Sequence, residues 1–291
     1  MPLETGELST TLQPLPERLR QALIDQLQCT HFSGYLNKPS QTPEALAPQL
    51  LELAKFFSVA PISGFRVGAI AIGTSGRLYL GANVEFKGMP LNTSIHAEQS
   101  AILNAWGHGE TSIQRLIISE LPCGHCRQFL LELSCPAKLI IQVDALSYTL
   151  DELLPHAFGQ QRDPEHGLLD STRKQLAPIG SLTDELVEHA VSAAERSYSP
   201  YSNSPQGFAI QCDNGHIYTG RSVESVAFNP SIAAVSGALN QLNLSADRNQ
   251  PILACAAAGL IEAPSGQTPL ADALIGSITS APIHHVLMRH C

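Results

Sequence analysis

The strings His96-Ala97-Glu98 and Pro122-Cys123-Gly124-His125-Cys126-Arg127 offer one imidazole, two thiols and a spare carboxylate. Imidazole and thiolate donors suit zinc, and three protein ligands leave the fourth tetrahedral position to water, which separates catalytic zinc sites from closed structural ones. His96, Cys123 and Cys126 are therefore the expected Zn2+ ligands. Zinc lowers the pKa of a bound water to about 7. Glu98, two residues past His96 near the expected start of a helix, stands close to such a metal without being needed as a ligand. It is the expected catalytic acid and base: a hydrolysis at the metal moves protons off water and onto a leaving group, and one carboxylate can carry them. Cys123 and Cys126 fall in the first turn of a second expected helix, whose dipole favours thiolate. Arg127 is expected to moderate the thiolate charge by hydrogen bonding.

Other readings of these residues compete. Cys-x-x-Cys alone fits a structural zinc knuckle, and the His-x-Glu partner with no fourth ligand counts against it. His125 is a possible fourth ligand, although its place in the middle of the turn points it elsewhere. His284, His285, His290 and Cys291 read as surface residues of a terminal strand that could also bind metal.

The surrounding sequence supplies the elements that must hold these groups. Residues 1–47 read as a helical lead-in, with Leu19, Leu23 and Leu27 on one face. Thr42-Pro43-Glu44 suits a helix start, with an interruption near Pro48 and helix again over residues 50–57. Residues 65–72 (FRVGAIAI) and 78–80 (LYL) form a hairpin, followed by a helix over 94–106, a strand over 116–119, a helix over 123–133 and a strand over 138–143. This β-β-α-β-α-β order predicts a three-layer α/β/α sandwich. Residues 155–182, with Pro155, Pro164 and Pro178, read as an extended connector, and a helix begins near Thr183-Asp184-Glu185.

The pattern then repeats. VGAIAIGTSGRLYLGANVE (67–85) aligns without gaps to QGFAIQCDNGHIYTGRSVE (206–224), and after a two-residue deletion NTSIHAEQSAI (92–102) meets NPSIAAVSGAL (229–239). His96 falls on Ala233 and Glu98 on Val235, and no Cys-x-x-Cys follows. The fold is thus expected to be duplicated, with the metal chemistry kept in the first copy alone and one zinc per chain. The expected domains are a helical segment 1–47, a catalytic unit 48–154, the connector 155–182 and a degenerate unit 183–291.

The 291 residues carry a net charge of −9, with Lys and Arg scattered, which argues against a nucleic-acid partner. No apolar run reaches the roughly 18 residues of a membrane helix, and residues 1–9 are acidic and lack a signal-peptide core, so a cytoplasmic protein with no membrane partner is expected. Seven cysteines with no framework spacing agree. Cys29, Cys135, Cys212, Cys255 and Cys291 are expected as free thiols, mostly packed as small hydrophobes.

In SGFRVGAIAIG, GANVEF, SIHAEQSAI, PCGHCRQFL and HAFG, followed by AAERSYSPYSNSPQG and AFNPS, the chain resembles the cytidine deaminases, in the long homodimeric form with a degenerate second deaminase-like domain. The resemblance spans nearly the whole chain. It implies deamination of cytidine and 2′-deoxycytidine, zinc held by His96, Cys123 and Cys126, and Glu98 as proton shuttle. It further implies Asn83 and Glu85 on the ribose 3′-hydroxyl, Phe65 packed on the pyrimidine, Ala97 giving backbone contacts to the base, and Phe158 reaching the partner subunit's active site. A carboxylate such as Glu85 accepts from a 3′-hydroxyl but repels a 3′-phosphate, so a free nucleoside is favoured over a polynucleotide. A polynucleotide cytosine deaminase and a non-catalytic zinc scaffold are the alternatives.

Overall fold

The computed structural model describes residues 10–13, 15–28, 32–37, 42–159, 167–180 and 184–291. Residues 1–9, Cys29, Pro39, Pro164, Thr183 and the side chain of Leu19, all used above, lie outside it. Helix α1 (Glu17–Leu27) puts Leu23 and Leu27 into the core, and strand β1 (Tyr35–Leu36) follows. Thr42 is the N-cap of α2 (Pro43–Leu46). A 3-10 turn (Ala47–Leu50) carrying Pro48 then leads into α3 (Leu51–Phe56), the interruption that the proline spacing predicts.

The first sheet runs β1-β3-β2-β4-β5-β6, built from β2 (Gly68–Gly73), β3 (Leu78–Ala82), β4 (Ile113–Ile118), β5 (Ile140–Val143) and β6 (Leu146–Thr149). Every residue of β2 is buried, and strand alternation divides them between two cores. Ile70 and Ile72 join Leu50, Leu53 and α1 residues on one face; Ala69 and Ala71 join Ala97, Ala101 and Ile102 of helix α4 (Ala97–Gly107) on the other. A sheet apolar on both faces requires cover on both, hence three layers. Helices α5 (Gly124–Leu130) and α6 (Leu150–Leu153) complete this half.

The strand expected from Phe65 begins only at Gly68. Asn83 Oδ1 accepts from the Val67 amide and Asn83 Nδ2 donates to the Phe65 carbonyl, so a side chain takes up these backbone groups before the ladder starts.

The second sheet, β7-β11-β10-β8-β9, repeats the first. Strands β8 (Gln206–Cys212) and β9 (Ile217–Arg221) form the hairpin, β10 (Ile252–Leu260) pairs antiparallel with β8, and β11 (Ile283–His290) runs parallel to β10, as β5 does to β4. Helices α7 (Glu185–Glu195), α8 (Ala234–Asn243) and α9 (Thr268–Ile278) cover it. Asp184, whose side chain accepts from the Leu186 amide, is the N-cap of α7. Strand β7 (Leu176–Pro178) comes from the expected connector and takes the edge beside β11 that β6 takes beside β5. The repeat reaches backbone detail. A Cβ at Gly81 would lie 2.3 Å from the Ala97 carbonyl, and one at Gly220 would lie 2.0 Å from that of Ala234, so both helices sit on a glycine floor.

The halves share their interiors. Val84, Phe86 and Ile95 pack into the core of the second half, and Tyr198, Val223 and Ile232 into that of the first. Ser100 Oγ donates to Asn240 Oδ1 (2.5 Å) between α4 and α8. Buried Glu132 accepts from the Tyr198 and Tyr201 hydroxyls (3.0 and 2.9 Å) and from the Val226 amide (2.9 Å). Among the described residues, no helix is long and apolar enough to cross a membrane.

Candidate active site

Both expected motifs sit at helix starts on one end of the first half. His96 is the N-cap of α4, and its amide donates to Gln99 Oε1 (3.1 Å). Cys123 is the N-cap of α5, with Cys126 in the first turn. The ligand atoms of His96, Cys123 and Cys126 lie within 4.8 Å of one another, the one such group of three or more among the described residues. Cys123 Sγ is 3.4 Å from His96 Nδ1. Cys126 is fully buried and Cys123 is exposed, so the cluster has a closed side and an open one.

The residues present fit zinc. Hydrogen bonding from Cys126, and then from His96, holds the Cys123 pKa down to about 3, a thiolate formed in advance. The Cys126 pKa is raised well above the usual thiol value by its bond to Cys123 and by burial, and binding a metal between the two releases the proton they hold. Glu98 is 4% exposed, and burial pushes its carboxyl pKa up.

A cavity of about 320 Å³ opens over this cluster. Phe65, Asn83, Glu85, His96, Ala97, Glu98 and Cys123 all line it, which gathers sequence positions from four separate motifs. Asn83 Oδ1 accepts from Ser58 Oγ (2.6 Å) and the Val67 amide (2.9 Å), and its Nδ2 donates to Phe65 O (2.8 Å), leaving one N–H free. Glu85 accepts from the Ile62 and Ser63 amides and the Ser63 hydroxyl. Burial opposes its ionisation, but these bonds outweigh burial and hold its pKa below the ordinary carboxylate value. Both side chains are thus fixed before any ligand arrives.

Phe158 stands apart: it is 65% exposed, does not line the cavity, and its carbonyl accepts from Gln128 Nε2. The Arg127 expectation is corrected. Its Nε and Nη1 donate to the Pro122 and Leu153 carbonyls (both 2.7 Å), which pins the metal loop to α6 rather than moderating thiolate charge. His125 stacks on the His96 ring (centroids 5.4 Å apart, 18° between planes) and is not in the donor group. His284, His285 and His290 are exposed on β11. Cys212 and Cys255 are buried as expected, whereas Cys135 and Cys291 are exposed. Sequence reasoning missed Ser63, Leu91, Ser94, Glu120 and Leu121 on the cavity wall, all on irregular or short segments with no pattern to mark them.

In the second half the equivalent ground is filled. Gln267 stands at the N-cap of α9, its Oε1 accepting from the Ala234 amide (2.8 Å) and its own amide donating to Gln206 Oε1 (3.0 Å). Among the described residues, Ser197, the counterpart of Ser58, has no hydrogen-bond partner for its buried hydroxyl: Ser222 replaces Asn83, and its hydroxyl accepts from the Gln206 amide instead.

A duplicated α/β/α sandwich with a His-Cys-Cys donor set and an adjacent buried carboxylate defines a zinc-dependent deaminase fold. The cytidine and deoxycytidylate deaminase zinc-binding region matches twice, over residues 40–142 and 150–270. The cytidine deaminase of Sodalis glossinidius is 38% identical, with 97% of this chain and 98% of that one covered; that of Serratia proteamaculans is 41% identical, with 85% of each covered. A solved cytidine deaminase from Mycobacterium tuberculosis is 32% identical and covers 37% of this chain and 89% of its own, with a TM-score of 0.34. The chain belongs to the cytidine deaminase family.

Proposed function

We propose that the chain deaminates cytidine and 2′-deoxycytidine to uridine and 2′-deoxyuridine, releasing ammonia, with one zinc held by His96 Nδ1, Cys123 and Cys126. The observation that carries this is the single cavity in which the donor cluster, buried Glu98 and the pre-fixed pair Asn83 and Glu85 meet. Zinc bound there supplies a Lewis acid that makes water a nucleophile at neutral pH. Glu98 takes the proton of the attacking water and delivers it to the pyrimidine ring nitrogen; it then takes the remaining proton of the added hydroxyl, which becomes the carbonyl, and gives it to the amine as the C–N bond breaks. Phe65 covers the base, Ala97 meets it through its backbone, and the free Asn83 N–H and the Glu85 carboxylate take the 3′-hydroxyl.

The active form in this reading is a homodimer, in which Phe158 enters the partner's cavity. Exposed Phe65, Leu91 and Leu121 at the cavity, with Phe158 itself, supply the apolar surface such a contact needs. A cytoplasmic location is part of the same proposal, supported by the free state of the described cysteines. So is the division into a helical segment 1–47, a catalytic unit 48–154, a connector 155–182 and a non-catalytic unit 183–291.

The test is absorbance on mixing the protein with cytidine, CMP or single-stranded DNA, with and without a chelator. Loss of cytidine absorbance that the chelator abolishes is the expected result. Activity on the polymer alone overturns the proposal.

A further inference from the structure

Between the halves lies a second cavity, of about 220 Å³, walled by Trp106 and His108 at the end of α4, by Arg221 and Thr219 of β9 and by Gln241 of α8. It shares no lining residue with the deaminase cavity. No Asp or Glu lines it, in a chain whose net charge is −9. The Arg221 guanidinium lies over the Trp106 ring, 4.5 Å from its centroid. Among the described residues, its side chain has no hydrogen-bond or ion-pair partner. Burial, and then the charge of Arg196, hold its pKa down to about 10. Arg221 is half-buried; a cation even partly withdrawn from water is costly unless an anion faces it, and the stack on Trp106 offsets only part of that cost.

Roles within the chain do not account for it. A cation near a helix C-terminus can cap free carbonyls, but the α4 carbonyls of residues 103–106 are taken. Leu103 O accepts from Gln241 Nε2, Asn104 O from the His108 amide and ring, Ala105 O from the His108 and Glu110 amides, and Trp106 O from the Gly109 amide. Asp247 does not line the cavity; it accepts from the wall residue Tyr218 and pairs with His216.

We propose that this cavity is an anion site that binds one tetrahedral oxyanion of the phosphate class against Arg221, with the remaining N–H of Gln241 Nε2 as second donor. Its volume is below the roughly 300–1,000 Å³ of sites that enclose larger ligands, which fits a single ion with water rather than a nucleoside. Occupation ties β9 of the second half to the far end of the helix that begins with Ala97 and Glu98.

Trp106 is the chain's single tryptophan, so its emission reports this site alone. The experiment titrates the full chain with inorganic phosphate, sulfate or chloride at matched ionic strength, in parallel with Arg221→Met, which keeps an apolar stem on Trp106. A saturable change in emission with phosphate and sulfate, absent with chloride and absent in Arg221→Met, is expected. It should be accompanied by a rise of a few degrees in Tm that the variant lacks. An equal response to chloride, no response in the wild type, or an undiminished response in Arg221→Met overturns the proposal. The wild-type comparison decides even where the variant does not fold.

Discussion

Cys123 and Gln267 hold the same place in the two halves, each the N-cap of the helix that follows the third strand of its repeat. Cys123 faces His96 Nδ1 across 3.4 Å, a gap that a metal can bridge; Gln267 closes the equivalent distance by accepting directly from the Ala234 amide at 2.8 Å. Where one half leaves donors free for zinc, the other has spent them on a polar clamp.

The clamp is structural, so Gln267→Ala is expected to cost about 1–2 kcal/mol through loss of a cap-like bond to a helix N-terminus. Thermal melting should register that loss, while metal analysis still finds one zinc per chain and turnover stays unchanged.

Glu98→Gln keeps the shape of the cavity and leaves the three donors in place. Zinc content is expected to be retained and turnover to fall by about 10²–10⁴, the usual contribution of a positioned acid and base. A variant that loses its metal, or one that turns over normally, contradicts the role given to Glu98.

Glu85 and the ribose are tested by a substrate pair. Glu85→Ala is expected to lower kcat/KM for cytidine by about 10–100-fold, the worth of a hydrogen bond to a charged group. With 2′,3′-dideoxycytidine, which has no 3′-hydroxyl to donate, the loss should be far smaller. Equal losses on both substrates would mean that Glu85 only anchors the loop at Ser63.

Phe158 is tested by mixing inactive parents. In a mixed dimer of Glu98→Gln and Phe158→Ala, one cavity receives an intact Glu98 from its own chain and an intact Phe158 from the partner. Activity above that of either parent is therefore expected after co-refolding. No recovery in a confirmed mixed dimer places Phe158 in its own chain's service.

Acid stability depends on Glu110, which is buried beside β2 and accepts from Ser75, Thr74, Tyr79 and the Thr111 amide. Burial opposes its ionisation, but these bonds prevail and its folded pKa lies below the ordinary value. The stability it adds is present above the unfolded pKa of about 4.3 and is lost as pH falls through the folded value. Glu110→Gln should therefore melt lower than the wild type at pH 7, with a gap that narrows towards pH 3. A gap independent of pH contradicts this assignment.

The hairpins and the helices after them were legible because they are local: glycine turns, alternating apolar residues and an N-cap can be read within a dozen positions. The short strands were not. Residues 35–36 and 176–178 become strands only because a remote partner offers an edge, and Pro178 is tolerated there as an edge residue. The donor set was legible from its chemistry, since few arrangements of His, Glu and Cys-x-x-Cys serve another purpose. Arg127 was misread for the opposite reason: proximity in sequence to two thiols said nothing of the carbonyls of Pro122 and Leu153, the second of which folding brings in from residue 153.

The contact of Ser100 with Asn240 has a consequence for ancestry and symmetry. In an isologous pairing of identical copies, residue i meets j and j meets i. Here Gly237 stands where the first half has Ser100, and Leu103 stands where the second has Asn240. The reciprocal contact is therefore chemically impossible, and two copies of the first half could not reproduce this seam. The two sides of this one interface therefore carry different chemistry, so each half complements the other at the seam rather than standing in for it.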